Sequence, residues 1–178
     1  MRDLYDQLIA GGKAAISRLV ADRQQEHVLL EFKTKADASN GELNRDDRRN
    51  LGIVLSAFAN SAGGLVVWGI RAAKDADGVD CATELKPITG IQRFKADVTR
   101  LLSQAIMPRY EGIIVEAIPT DSSADAGYLL MYVERSERRP HRCEFGDKQY
   151  FKRSGDSSEA TGSPASLVFF VRFSKRRT

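Results

Sequence analysis

Residues 26–33 read Glu-His-Val-Leu-Leu-Glu-Phe-Lys, and these eight positions hold two carboxylates and an ammonium. In an extended segment successive side chains alternate faces, so Val28, Leu30 and Phe32 share one face and Leu29, Glu31 and Lys33 the other. The first set reads as core. The second puts Glu31 and Lys33 side by side and pointing the same way. On a strand, such a pair can hold a hard divalent cation through its carboxylate and a phosphoryl oxygen through its ammonium. It can also be a half-exposed strand with a same-face ion pair, and so short a motif by itself favours that plainer reading. Glu26 lies five residues before Glu31, so in one regular strand the two would face opposite ways. They can share a site only if Glu26 sits in a turn before the strand or at a bulge.

The whole chain limits what such residues can do. Its 178 residues are one domain's worth, enough for a full core, and 42% hydrophobic with 29% charged excludes disorder of the whole chain. A net charge of +3 does not by itself argue for nucleic acid, so the placement of the cations matters more than their sum. Cys81 and Cys143 are far apart and read as two reduced thiols, which sets the expectation of a cytoplasmic protein. Only His27 and His141 are available to a zinc site, which argues against one. Asp3 and Asp6 stand near the start without a long apolar run, so neither a signal peptide nor a membrane span is expected.

The elements that position the charged stretch can be read in order. Leu4, Leu8, Ile9, Ile16, Leu19 and Val20 fall at near-helical spacing, interrupted by Gly11-Gly12, which predicts two short helices within residues 3–22. After the Glu26–Lys33 strand comes a polar loop over 35–42, with Asn40-Gly41 as its turn. Asn44 is a good N-cap, Asp46 and Asp47 suit the positive end of a helix dipole, and Leu51, Val54, Leu55 and Phe58 form the apolar stripe. Gly63-Gly64 ends that helix: Gly63 as a left-handed cap, Gly64 as a place where a strand starts close against a neighbour. Arg45, Arg48 and Arg49 crowd its first turns, where cations oppose the dipole; a phosphate-facing surface and a solvated face account for this equally. A buried strand over 64–70, a long acidic loop over 72–90 and an amphipathic helix over 91–106 follow. Two strands, at 112–118 and 128–133, come next.

The charge then changes. Arg135, Arg138, Arg139, Arg142, Lys148, Lys152 and Arg153 fall within nineteen residues, mixed with Tyr150 and Phe151. Cations for phosphates and rings for stacking make a hairpin here a nucleic-acid face. Glu134, Glu137, Glu144 and Asp147 make it, alternatively, a self-neutralised charged hairpin. Ser154-Gly155-Asp156-Ser157-Ser158 is a loop of small hydrogen-bond donors, residues 166–178 read as a final helix and basic tail, and no internal repeat is found.

Several of these pieces, in this order, resemble the Schlafen-type AlbA domain. They are Glu26-xxxx-Glu31-Phe32-Lys33, Ala57-Phe58-Ala59-Asn60-Ser61-Ala62-Gly63-Gly64-Leu65, Trp68-Gly69-Ile70, Arg139-Pro140-His141 and Tyr150-Phe151-Lys152-Arg153-Ser154-Gly155-Asp156-Ser157-Ser158. The resemblance implies one α+β domain over 1–178, with a helical segment over 1–22, a core over 23–165 and a central sheet that is mixed, mainly antiparallel and flanked by helices. It also implies nucleic-acid binding, and in the vertebrate Schlafens a metal-dependent endoribonuclease acting on structured RNA such as tRNA. The two glutamates of that nuclease match Glu26 and Glu31, but its aspartate falls on Ala72, beside Arg71. Asp75 or Asp77 would have to reach in to complete the shell. The family is also labelled as ATP-binding, but Gly63-Gly64 lacks the spacing and the Lys-Ser/Thr ending of a P-loop, so ATP hydrolysis is not expected.

Three functions follow as expectations. The first is a nucleic-acid-binding module, RNA ahead of DNA, with Arg45, Arg48, Arg49, Arg139, Lys152 and Arg153 on phosphates and Tyr150 stacking. The second is a Mg²⁺- or Mn²⁺-dependent ribonuclease with Glu26, Glu31 and Lys33 catalytic and Glu26, Glu31 and Asp75 on the metal. The third is an interaction domain that has lost its nucleic acid. Because the vertebrate relatives pair two such lobes, a homodimer is a further expectation by analogy.

Overall fold

Each element begins and ends where its local chemistry directs. In the computed structural model, which describes residues 1–120, 125–146 and 148–161, helix α1 covers Arg2–Ala21. Gly12, at φ 55° and ψ −143°, divides it into two helices across a kink. Helix α2 (Arg45–Asn60) starts in a complete capping box: the Asn44 side chain accepts the Asp47 N–H at 2.8 Å, and the Asp47 carboxylate accepts the Asn44 N–H at 3.3 Å. Asp47 is wholly buried, pairs with Lys35 at 3.4 Å and accepts the Ala36 N–H at 2.9 Å. The polar loop is thus tied to the start of the helix. Helix α3 (Ile91–Ala105) turns Ile91, Phe94, Val98, Leu101 and Ala105 inward.

Strand β1 is Leu30–Lys33, β2 Gly64–Trp68, β3 Ile70–Lys74 and β4 Asp80–Leu85. The short β5 (Ile88–Thr89) and β6 (Ile106–Met107) bracket α3. Then come β7 (Ile113–Pro119), β8 (Ala126–Val133), β9 (Arg142–Cys143), β10 (Tyr150–Ser154) and β11 (Ser157–Thr161). The main sheet has five strands in the order β1-β2-β8-β5, with β7 also on β8; β1 and β2 are parallel, and the other pairs antiparallel. A second sheet runs β11-β10-β9-β6, and β3–β4 form a separate hairpin. The α+β class and the mixed, mainly antiparallel sheet are as expected.

The central strands are apolar throughout because both faces are covered. From β2, Leu65 and Val67 join Leu30, Phe32 and Leu130 in a core that includes Leu8 and Ile16 of α1. Val66 and Trp68 face the other way, into a core with Phe58 of α2, Phe94 of α3, Leu129 and Met131. Ser61 N–H and Gly63 N–H both donate to the Phe58 carbonyl, at 3.1 and 3.0 Å, and Gly63 takes the left-handed φ of 76°.

Five stretches differ from the sequence reading. The strand is only Leu30–Lys33: residues 26–29 turn, with His27 and Leu30 exchanging backbone hydrogen bonds, and Val28 points out at 40% exposure instead of into the core. Residues 72–90 are mostly the β3–β4 hairpin, missed because its one exposed face leaves no apolar run. Its turn is made by Asp75, whose carboxylate accepts the Asp77 and Val79 N–H groups at 2.9 and 3.0 Å. The basic stretch is not one hairpin; the hairpin is β10–β11, entered only at Tyr150. The strand read over 64–70 breaks at Gly69 (φ 99°) into β2 and β3, and Ser157-Ser158, read as loop, open β11. The expected C-terminal helix lies outside the described residues. Among those described, no helix is long and apolar enough to cross a membrane.

A Cβ on Gly64 would stand 2.2 Å from the Phe58 ring and 2.6 Å from the Leu29 carbonyl oxygen. Gly64→Ala is therefore expected to lose about 1–3 kcal/mol in urea denaturation, the usual cost of overpacking.

Candidate functional site

The turn before β1 brings the first glutamate back to the strand. Glu26 donates its N–H to the Asp80 carbonyl at 2.7 Å and accepts the Phe32 N–H at 2.6 Å through its carboxylate. Burial lifts that carboxyl from an ordinary 4.5 to about 7; nearby Glu31 and Asp80 push the same way, while the Phe32 N–H and Lys33 oppose them. The condition under which Glu26 and Glu31 can share a site is met by geometry.

Glu31 is buried as well, on the face of β1 opposite Leu30 and Phe32. Its Oε1 is held by Lys33 Nζ and its Oε2 by Arg153 Nη1, with Ser158 Oγ at 3.4 Å. Arg153 comes from β10, with its side chain wholly buried. Its guanidinium also donates to Ser158 Oγ and the His27 carbonyl, each at 3.0 Å, and to the Val28 carbonyl at 3.4 Å. It lies over the Phe58 ring, 4.8 Å from the centroid, and its backbone N–H donates to Ser61 Oγ at 2.9 Å. The expected outward-facing arginine faces inward.

These donors do not fit a hard divalent cation, which needs several free anionic oxygens. Both Glu31 oxygens carry protein cations, and position 72 is alanine. Asp75 is engaged elsewhere, accepting Gln25 Nε2 at 2.7 Å as well as closing its turn. Among the described residues no group of three His, Cys, Asp or Glu side chains is placed to hold a metal.

The remaining candidates divide between the two ends of α2. At its C-terminal end Arg139 Nη1 donates to the Ser61 carbonyl at 3.0 Å, a cation on exposed helix carbonyls. Arg45, Arg48 and Arg49 are exposed at the other end. Along that end the helix meets the stretch around β9: a Cβ on Gly52 would stand 2.6 Å from Cys143 Sγ, and one on Gly146 would stand 3.4 Å from Arg49 Cγ. Arg142, Lys148 and the outer face of β10 follow. Strand alternation puts Tyr150 and Lys152 on that outer face, opposite Arg153. Carboxylates temper the charge, with Arg142 on Glu144 at 2.7 Å, Lys148 on Glu144 at 3.8 Å and Lys152 on Glu159 at 3.9 Å.

Sequence reasoning missed the fastening of β10 to α2. Asn60 Nδ2 donates to the His141 and Phe151 carbonyls at 2.8 and 2.9 Å, while its Oδ1 accepts the His141 N–H at 2.7 Å. Ser56 Oγ donates to the His141 carbonyl at 2.8 Å and accepts the Phe151 N–H at 3.1 Å. His141 lies 2.6 Å from the Pro108 carbonyl through Nδ1, which therefore carries the proton, and 2.6 Å from Ser136 Oγ through Nε2. The signal was there: two polar residues, Ser56 and Asn60, one turn apart on a helix face that is otherwise apolar.

A family model described as Schlafen, AlbA_2 matches residues 26–162, from the first glutamate to the end of β11. The chain belongs to the Schlafen, AlbA_2 family. Membership points to a nucleic-acid-related function. Two solved structures share the fold. One is the DIP2311 protein of Corynebacterium diphtheriae, with TM-score 0.53 and 18% identity over 96% of this chain and 32% of that one. The other is the N-terminal domain of a Nitrosomonas europaea protein named as related to the ATP-dependent DNA helicase RecG, with TM-score 0.51 and 16% identity over 88% of this chain and 89% of that one. The chain thus spans about a third of the Corynebacterium protein. No curated protein matches it.

Two outcomes are expected of this AlbA_2 site. Arg153→Met leaves a buried carboxylate with Lys33 alone and should cost about 3 kcal/mol by urea denaturation. The Glu26 carboxyl titrates near 7 when folded against an ordinary 4.5, so the folded protein binds the extra proton between those values. The stability this contributes is full below the lower value and is lost as pH rises through the upper one. Glu26→Gln removes that loss, so in thermal melts it should gain on the wild type by on the order of 2 kcal/mol from acidic to alkaline pH.

Proposed function

We propose that this domain binds nucleic acid, RNA in preference to DNA, through the flank made by the first turns of α2, the stretch around β9 and the outer face of β10. The closeness of Arg49 to Gly146, where a Cβ would stand 3.4 Å from Arg49 Cγ, supports it most directly, because it brings the basic first turns of α2 near the stretch that leads into β10. Arg45, Arg48, Arg49 and Lys152 are the phosphate contacts, and Tyr150 offers a ring for a base. Arg139 and Arg153 act from behind, holding the ends of α2 and β10. The preference for RNA rests on the ribonuclease branch of the family; the RecG-related neighbour makes duplex DNA the proper comparison.

A second reading is a metal-dependent endoribonuclease using Glu26, Glu31 and Lys33. It is favoured by the closeness of the two carboxylates and opposed by the cations already on Glu31.

The experiment is incubation of a labelled tRNA pool, and of duplex DNA of like length, with purified protein, in Mn²⁺ and in chelator. Gel retardation and cleavage are read together. Retardation without cleavage, weakening steeply with salt, is the expected result. Arg48→Ala should weaken every ligand alike and flatten the plot of log affinity against log salt by about 0.7–0.9, one phosphate contact. Cleavage that needs Mn²⁺ and vanishes in Glu31→Gln would establish the second reading. Neither retardation nor cleavage would leave an interaction domain.

A further inference from the structure

We propose that the Arg153 guanidinium is a built-in substitute for a metal ion, neutralising Glu31 and pinning β10, so that the domain takes up no divalent cation at Glu26 and Glu31. The consequence for ligand binding rests on the reading of β10 as part of the nucleic-acid face; the consequence for metal does not.

The arginine is too well accommodated to be incidental. A buried ion pair is tolerated only where the remaining protons and lone pairs are also satisfied. Here the fork of Arg153 meets the Glu31 carboxylate, the Ser158 hydroxyl and the carbonyls of His27 and Val28, above the Phe58 ring. Lys33 takes the other oxygen of Glu31. A divalent ion entering there would stand beside two positive charges, with no carboxylate at position 72 to balance it. To make room, the guanidinium would have to leave a place where it is wholly buried.

The same contact sets the outer face of the strand. Arg153 points in where Lys152 points out, and the backbone between them is held by Ser61 Oγ on Arg153 N–H and by Ser56 and Asn60 on Phe151. Arg153 is therefore a positioning residue for Tyr150 and Lys152. The Glu31–Arg153 pair also joins the main sheet to the second sheet, since Glu31 is on β1 and Arg153 on β10.

The test begins on the unaltered chain. Mn²⁺ is titrated into the protein by calorimetry and by loss of free-Mn²⁺ paramagnetic signal, with Glu31→Gln in parallel, and tRNA retention is compared in Mn²⁺ and in chelator. The expected result is no site tighter than about 1 mM, the weak end of protein cation sites, and equal retention in both buffers. Arg153→Gln, which uncovers Glu31, should gain a Mn²⁺-dependent rise in melting temperature that the wild type lacks, a response that a merely structural arginine would not produce. One Mn²⁺ per wild-type chain bound more tightly than that and lost in Glu31→Gln would overturn the proposal, as would a folded Arg153→Gln with no response to Mn²⁺. Should Arg153→Gln fail to fold, the wild-type and Glu31→Gln titrations decide. If no nucleic acid is retained in either buffer, the binding function fails, and the Mn²⁺ titrations still decide the role of Arg153.

Discussion

The Glu31–Arg153 pair joins β1 of the main sheet to β10 of the second sheet. Desolvating two charges costs several kcal/mol each, and their attraction offsets this only when the surrounding donors and acceptors are complete. That requirement reaches outward. The carbonyls of His27 and Val28 must face Arg153, which needs residues 26–29 to turn instead of extending, and the same turn carries Glu26 to the Phe32 N–H. Ser158 must also face inward, which needs β11 folded back on β10 in the observed register, with Arg153 opposite Ser158.

Helix α2 is the beam to which both sheets are fixed. One end is fastened by the buried Lys35–Asp47 pair and the capping box, the other by Ser56, Asn60 and Ser61 on the backbone of residues 141–153. Glu31, Lys33 and Lys35 alternate along one face of β1 and its extension, and each is paired. A row that would be solvated on an isolated strand is here covered by the second sheet and α2. The opposite row, Leu30 and Phe32, enters the ordinary apolar core. Charge on one side and core on the other fix the register of β1 firmly, because a slip by one residue would bury the wrong row on both faces.

For function, the inside and outside of this framework are separate. Membership of the Schlafen, AlbA_2 family carries a nucleic-acid-related role. Inside, Glu31 is paired with Lys33 and Arg153, and the Glu26 carboxylate accepts the Phe32 N–H. Outside, Arg49 of α2 lies close to Gly146, in the stretch before β10 that is distant from it in sequence.

The sequence by itself determined the three described helices, the caps of α2 and a buried central strand from Gly64, since side-chain period and N-cap chemistry act over a few residues. Asn44, the Gly12 kink and Gly63-Gly64 were all legible for that reason. The turn condition on Glu26 was legible too, from the five-residue spacing alone. Only the tertiary structure decided that Glu31 is buried, that Arg153 points inward and that Asp75 also accepts Gln25. Arg153 lies 122 residues from Glu31, and no local pattern distinguishes an arginine offered to phosphate from one that will neutralise a distant carboxylate. The same holds for Ser56 and Asn60, whose partners are backbone carbonyls and N–H groups more than 80 residues away. Residue types and spacing set what each group can do; the packing of two sheets on α2 set what each one faces.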